Sequence, residues 1–175
     1  MAADAAEVEV AAAVLEPHFF AVRDAFLEFE PEEGRPLSRL KRTRMVVDPS
    51  VHDSPRHFAA ARDDGLLILL APEAASLELE SLVAILVHEF GHAADFAYPA
   101  NWIMVRRGEP AVWIGDRTDK PARKWRRMWS QRSDDQMEWA ADSIAEAVTG
   151  MKVEYCGPCM LQCFSGGKSR PAGLR

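Results

Sequence analysis

A chain of 175 residues, 48% apolar, 27% charged and 9% aromatic, is long enough for one domain with a real core and too short for two full-sized ones. This composition excludes a wholly disordered or collagen-like chain, and no apolar run reaches the roughly 18 to 20 residues needed to cross a bilayer. The formal net charge of −6 hides an asymmetry: residues 1–34 carry nine acidic side chains against Arg23 alone, while residues 101–132 carry nine basic ones against Glu109, Asp116 and Asp119.

In chain order, Val8, Ala12, Leu15, Phe19, Val22, Phe26 and Phe29 recur at spacings of three and four, the pattern of one buried helix face. Pro17 falls inside that pattern, so the helix is expected either to kink there or to begin at Glu16; Pro31, Gly34 and Pro36 end it. Three short extended stretches follow, Thr43 to Asp48, His57 to Arg62 and Leu66 to Ala71. Asp63, Asp64 and Gly65 supply a hairpin turn between the last two. Leu66 to Leu70 is apolar throughout, which predicts an interior strand covered on both faces. A second helix is expected from about Ser76 or Leu77 to Ala97, with Glu78 and Glu80 near its start and Pro99 beyond its end. Residues 99–132 show no clean period and read as a basic, Trp-rich insertion with one short helix near Arg123 to Trp129. A third helix is punctuated by a Ser133/Gln136 capping box and by Gly150 at its C-terminal end. The predicted fold class is α+β, built from an N-terminal helix, a small three-stranded and mainly antiparallel sheet and two further helices. A single domain is expected over residues 1–165, and a disordered tail over residues 166–175.

The run His88-Glu89-Phe90-Gly91-His92 is an H-E-x-x-H sequence on a predicted helix. Four residues exceed one turn only slightly, so both imidazoles leave the same face and can bind one metal ion. Zinc accepts imidazole nitrogen, prefers four ligands and in catalytic sites keeps a position for water, whose pKa it lowers from about 15.7 to about 7. Glu89, next to the first imidazole, is placed to act as general base. Two histidines do not complete such a site. The third helix offers Glu138 and Asp142, also four apart, on a helix whose Ala140, Ala141 and Ala145 permit close approach to a neighbour. Glu138 is the expected third ligand, and Asp142 is placed to accept the free ring N–H of a ligating histidine. The plainer alternative is two surface carboxylates. Asp95, three residues after His92, is a rival ligand with poor geometry on a continuous helix, and a supporting role suits it better.

H-E-x-x-H followed downstream by a helical E-x-x-x-D resembles the gluzincin type of zinc metallopeptidase. The stretch Ile85 to Ala93, with Glu138-Trp139-Ala140-Ala141-Asp142 later, is most similar to the small ImmA/IrrE-like metallopeptidases of bacteria, phages and mobile elements. The resemblance covers roughly residues 65–150. It implies a zincin-like fold, His88, His92 and Glu138 as ligands to one Zn2+, Glu89 as catalytic base, Asp142 in support, and a protein or peptide as substrate. The chain departs from that group in its longer basic segment between the two helices, and it shows no helix-turn-helix module.

His57, Tyr98 and Tyr155 are candidates by residue type for stabilising the oxyanion of a peptidase reaction, and the sequence does not choose among them. Cys156, Cys159 and Cys163 fall within eight residues and could hold a second, structural zinc, yet no fourth ligand is evident nearby; buried small residues or free thiols are the plainer reading. Three cysteines are too few for a disulfide framework. With Asp4, Glu7 and Glu9 where a secretory leader would be basic, the expectation is a cytoplasmic protein without membrane partners. A second reading is a zincin-fold protein that binds or regulates without cutting, as a virion or accessory component. In that reading the basic stretch Arg106 to Arg132, with Trp102, Trp113, Trp125 and Trp129 beside and within it, contacts nucleic acid.

Overall fold

A computed structural model describes residues 5–30, 37–52, 58–62, 65–97 and 134–151 of the chain. Among them the elements run α1 (Ala5–Glu28), β1 (Arg44–Val47), β2 (Ala59–Arg62), β3 (Leu67–Leu70), α2 (Leu79–Ala97) and α3 (Asp134–Thr149). Short 3-10 turns lie at Ser38–Arg42, Pro49–His52 and Pro72–Ser76. The class is α+β, with three helices and one small mixed sheet among the described residues. The insertion 99–132, the tail, His57, Tyr98, Tyr155 and the three cysteines lie outside the described residues.

Helix α1 does not begin at Glu16 but starts at Ala5 and runs through Pro17. Pro17 sits on the exposed side, and burial of Ala11, Leu15, Phe19, Val22 and Phe26 on the opposite side outweighs the backbone hydrogen bond that a proline cannot donate. The three strands fall inside the expected stretches, each shorter by one or two residues at its ends.

The sheet order is β1-β3-β2, and the expected mainly antiparallel sheet is corrected on one side. β2 pairs antiparallel with β3, as a hairpin requires, but β1 pairs parallel with β3. The chain reverses between β1 and β2 and again between β2 and β3, so β3 enters the space between them in the same direction as β1. The turn into β3 ends at Gly65, whose φ of +81° is the left-handed conformation that glycine adopts without cost. β3 is central, yet it is not covered on both faces. Ile68 and Leu70 are fully buried while Leu67 and Leu69 are half-buried, because among the described residues the helices pack on one side of the sheet.

Helix α2 is the centre of the structure. It packs against α1, β2, β3 and α3, and every residue from Ala84 to Asp95 is buried. A helix enclosed all round has no polar face to give to water, so the polar residues it carries must be paired inside. Its last turn is closed from outside by Arg39, whose Nη1 donates to the carbonyl of Ala97 at 2.7 Å. No helix among the described residues is long and apolar enough to cross a membrane.

Candidate metal centre

The residues of the H-E-x-x-H run divide by direction around α2. Phe90 points to α1, where its ring lies 5.1 Å from Phe19 and 5.5 Å from Phe26. Gly91, one residue and about 100° on, points to α3. A Cβ at Gly91 would sit 2.3 Å from the carbonyl oxygen of Ala141, so the two helices touch backbone against backbone. On the α3 side, Ala140, Ala141 and Ala145 are all buried, as the small-residue face predicted. This contact brings Glu138 and Asp142, on either side of Ala141, down onto the two imidazoles.

Three atoms then meet. Nε2 of His88 lies 3.0 Å from Nε2 of His92 and 3.0 Å from Oε2 of Glu138, and Nε2 of His92 lies 3.1 Å from the same carboxylate oxygen. A point about 1 Å above the plane of such a triangle is roughly 2.0 to 2.1 Å from each corner, the bond length of a small divalent cation to imidazole nitrogen and carboxylate oxygen. His88, His92 and Glu138 therefore form a group able to hold a metal ion. Glu138 is the most exposed of the three, with 23% of its side chain accessible against 3% for His88, so the cluster meets solvent on the α3 side.

The electrostatics favour a cation at this point. His88 Nδ1 lies 2.7 Å from Oδ1 of Asp142, and its N–H donates to that carboxylate. Burial alone would lower the His88 pKa. The bonds to Asp142 and Glu138, with the charges of Glu89 and Asp142, outweigh it and push the value up to about 10. For Glu138 burial favours the neutral acid, but hydrogen bonds to His88 and His92 and their charge hold its carboxyl down at about 2. The pocket concentrates negative charge in a buried place and demands a positive one, a proton or a metal ion.

Two buried polar atoms have no hydrogen-bond partner among the described residues, Oε2 of Glu89 and Nδ1 of His92. A buried carboxylate oxygen without a partner is costly, and it persists where something outside the fold is to be met. Asp95 is buried as well but is not the partner of His92, and it stands outside the ligand group. Three residues of helix turn it about 60° from His92, and it lies about two turns beyond His88.

The structure thus brings together His88, His92 and Glu138, sets Asp142 behind His88, and buries Glu89 beside them. Two contributors were not singled out from the sequence. Gly91 matters because it lacks a side chain, and nothing in the sequence marked it. Phe96, stacked on His92 at 5.7 Å and 23°, was signalled by its spacing of four from His92. Comparison with family models, with curated proteins and with solved structures yields no match to the chain.

Proposed function

We propose that the protein is a zinc-dependent metallopeptidase with a zincin-like fold of the gluzincin type. The observation that carries this reading is the convergence of two imidazole nitrogens and one carboxylate oxygen from separate helices at mutual distances of 3.0–3.1 Å, with a partnerless glutamate oxygen buried in the next residue to His88. Three nitrogen and oxygen ligands suit zinc in a catalytic rather than a structural site, where four protein ligands are the rule. His88, His92 and Glu138 would hold the ion. When bound, it supplies Lewis acidity that makes water a usable nucleophile near neutral pH. Glu89 takes the proton from the attacking water and returns it to the leaving amine nitrogen. Asp142 holds His88 in the tautomer that leaves Nε2 free.

A protein that only binds has no use for a carboxylate with a buried, unpartnered oxygen at this point, which favours hydrolysis over a purely structural zincin. The test is metal analysis of the purified chain beside a peptide-hydrolysis assay. Glu89→Gln is expected to keep one zinc per chain and to lose activity by at least 10²-fold. Glu138→Ala is expected to lose the metal as well. A Glu89→Gln variant that hydrolyses peptide at the wild-type rate would refute the peptidase reading.

A further inference from the structure

The two imidazoles meet the same point through Nε2, but their remaining ring nitrogens end differently. Nδ1 of His88 has the charged partner that metal-ligating histidines usually have, Asp142 at 2.7 Å. Nδ1 of His92 is buried and has no hydrogen-bond partner among the described residues. The carboxylate nearest to it in sequence, Asp95, is not used for it although it is buried on the same helix. What the His92 ring has instead is two flat neighbours. It lies edge-on to His88, with centroids 4.6 Å apart and planes at 90°, and nearly parallel to Phe96, at 5.7 Å and 23°.

We propose that Phe96 is the positioning residue for His92, its aromatic face fixing the plane of the imidazole in place of a hydrogen bond. This inference rests on His88, His92 and Glu138 being metal ligands. His92 and Phe96 are four apart on a helix that stays regular to Ala97, so their rings lie one turn apart on one ridge. Rotation of His92 about its last torsion would swing Nε2 out of the triangle, and that torsion is soft unless something fixes the plane. The stacked contact with Phe96 resists that rotation, while His88 meets the ring at its Nε2 edge, with the two Nε2 atoms 3.0 Å apart. The ligands are consequently unequal: His88 is oriented by a carboxylate, whereas His92 is oriented by an aromatic ring.

The test measures zinc affinity by competition with a chromophoric chelator, and the visible spectrum of the Co2+-loaded protein, in the wild type, Phe96→Ala, Phe96→Leu and Phe96→Tyr. Phe96→Ala is expected to weaken zinc binding about ten-fold, the lower end of the loss seen when a metal ligand's outer partner is removed, and to alter the Co2+ bands. Phe96→Tyr, which keeps the flat ring, restores both readouts. Phe96→Leu, which keeps bulk without the plane, behaves like Phe96→Ala and carries the comparison should the alanine variant fail to fold. Phe96→Ala and Phe96→Leu binding zinc as tightly as the wild type, with only the melting temperature of the chelated protein lowered, overturns the positioning role and leaves the metal site standing. A wild-type chain that takes up no zinc or cobalt overturns the metal reading, and this inference with it.

Discussion

Helix α2 has two seams, and they are built by opposite rules. Toward α1 it presents Phe90, Leu82 and Leu86 to Leu15, Phe19 and Phe26, an apolar contact whose strength comes from area. Toward α3 it presents Gly91, His88 and His92 to Ala141, Glu138 and Asp142, a contact of backbone on backbone flanked by buried polar groups. The first seam tolerates small displacements, because dispersion and burial change gradually with distance. The second does not, because hydrogen bonds of 2.7–3.1 Å and a ligand triangle of similar edge are lost when the helices part by one ångström. Adjacent residues, Phe90 and Gly91, thus separate the work. One seam stabilises the fold, and the other sets the geometry at some cost to stability.

The largest effect is expected from Gly91→Ala. Its Cβ would meet the Ala141 carbonyl oxygen at 2.3 Å, and that oxygen belongs to helix backbone that has no rotamer to give. Ordinary contact requires the helices to separate by about 1 Å. Metal affinity should fall more than 100-fold, read by chelator competition, together with a lowered melting temperature. Wild-type affinity in this variant would show that the two helices are not seated as described.

Phe90→Ala reverses the pattern. Removing a fully buried ring that touches two others should cost about 3–5 kcal/mol of folding stability, measured by denaturant unfolding of the chelated protein. The fraction that remains folded should still bind metal with affinity close to the wild type. If affinity and stability fall together in this variant as in Gly91→Ala, the division between the seams is wrong.

Asp142→Asn sharpens the comparison within the polar seam. Asparagine can accept the His88 N–H at the same place but carries no charge. Metal affinity should drop 10- to 100-fold, equivalent to about 1.4–2.7 kcal/mol, with the fold retained. Isothermal titration with Zn2+ reads this directly.

Much of this was legible in the sequence because it depends on short periods. Spacings of three and four placed α1, end signals such as Pro99, the Ser133/Gln136 pair and Gly150 placed α2 and α3, and the spacing of four put His88 with His92 and Glu138 with Asp142 on common faces. The direction of β1 was not legible. Parallel and antiparallel partners present the same alternation along one strand, and what decides is the order in which distant strands fill the sheet. The half-covered face of β3 escaped for a related reason, since four apolar residues in a row do not say where the helices lie. The role of Gly91 was hidden because a missing side chain carries no pattern of its own. It becomes visible only when a second helix arrives against it.

Gly150 shows that the same residue type can be required for the opposite reason. Its φ is +68°, and its N–H donates to the carbonyl of Glu146 at 2.8 Å to end α3, but a Cβ there would meet nothing within 4 Å. The constraint at Gly150 is one of backbone conformation, and at Gly91 one of space. Gly150→Ala therefore has only the left-handed conformation to offset, about 1–2 kcal/mol, and it fits without moving a neighbour. Because Gly150 lies two turns beyond Asp142, fraying of the last turn leaves Glu138 and Asp142 in place. The expected outcome is a modest fall in melting temperature with metal affinity unchanged. A loss of affinity in Gly150→Ala would mean that the C-terminal turn of α3 helps to hold the seam, and that the polar contact extends further along the helix than the Gly91–Ala141 crossing.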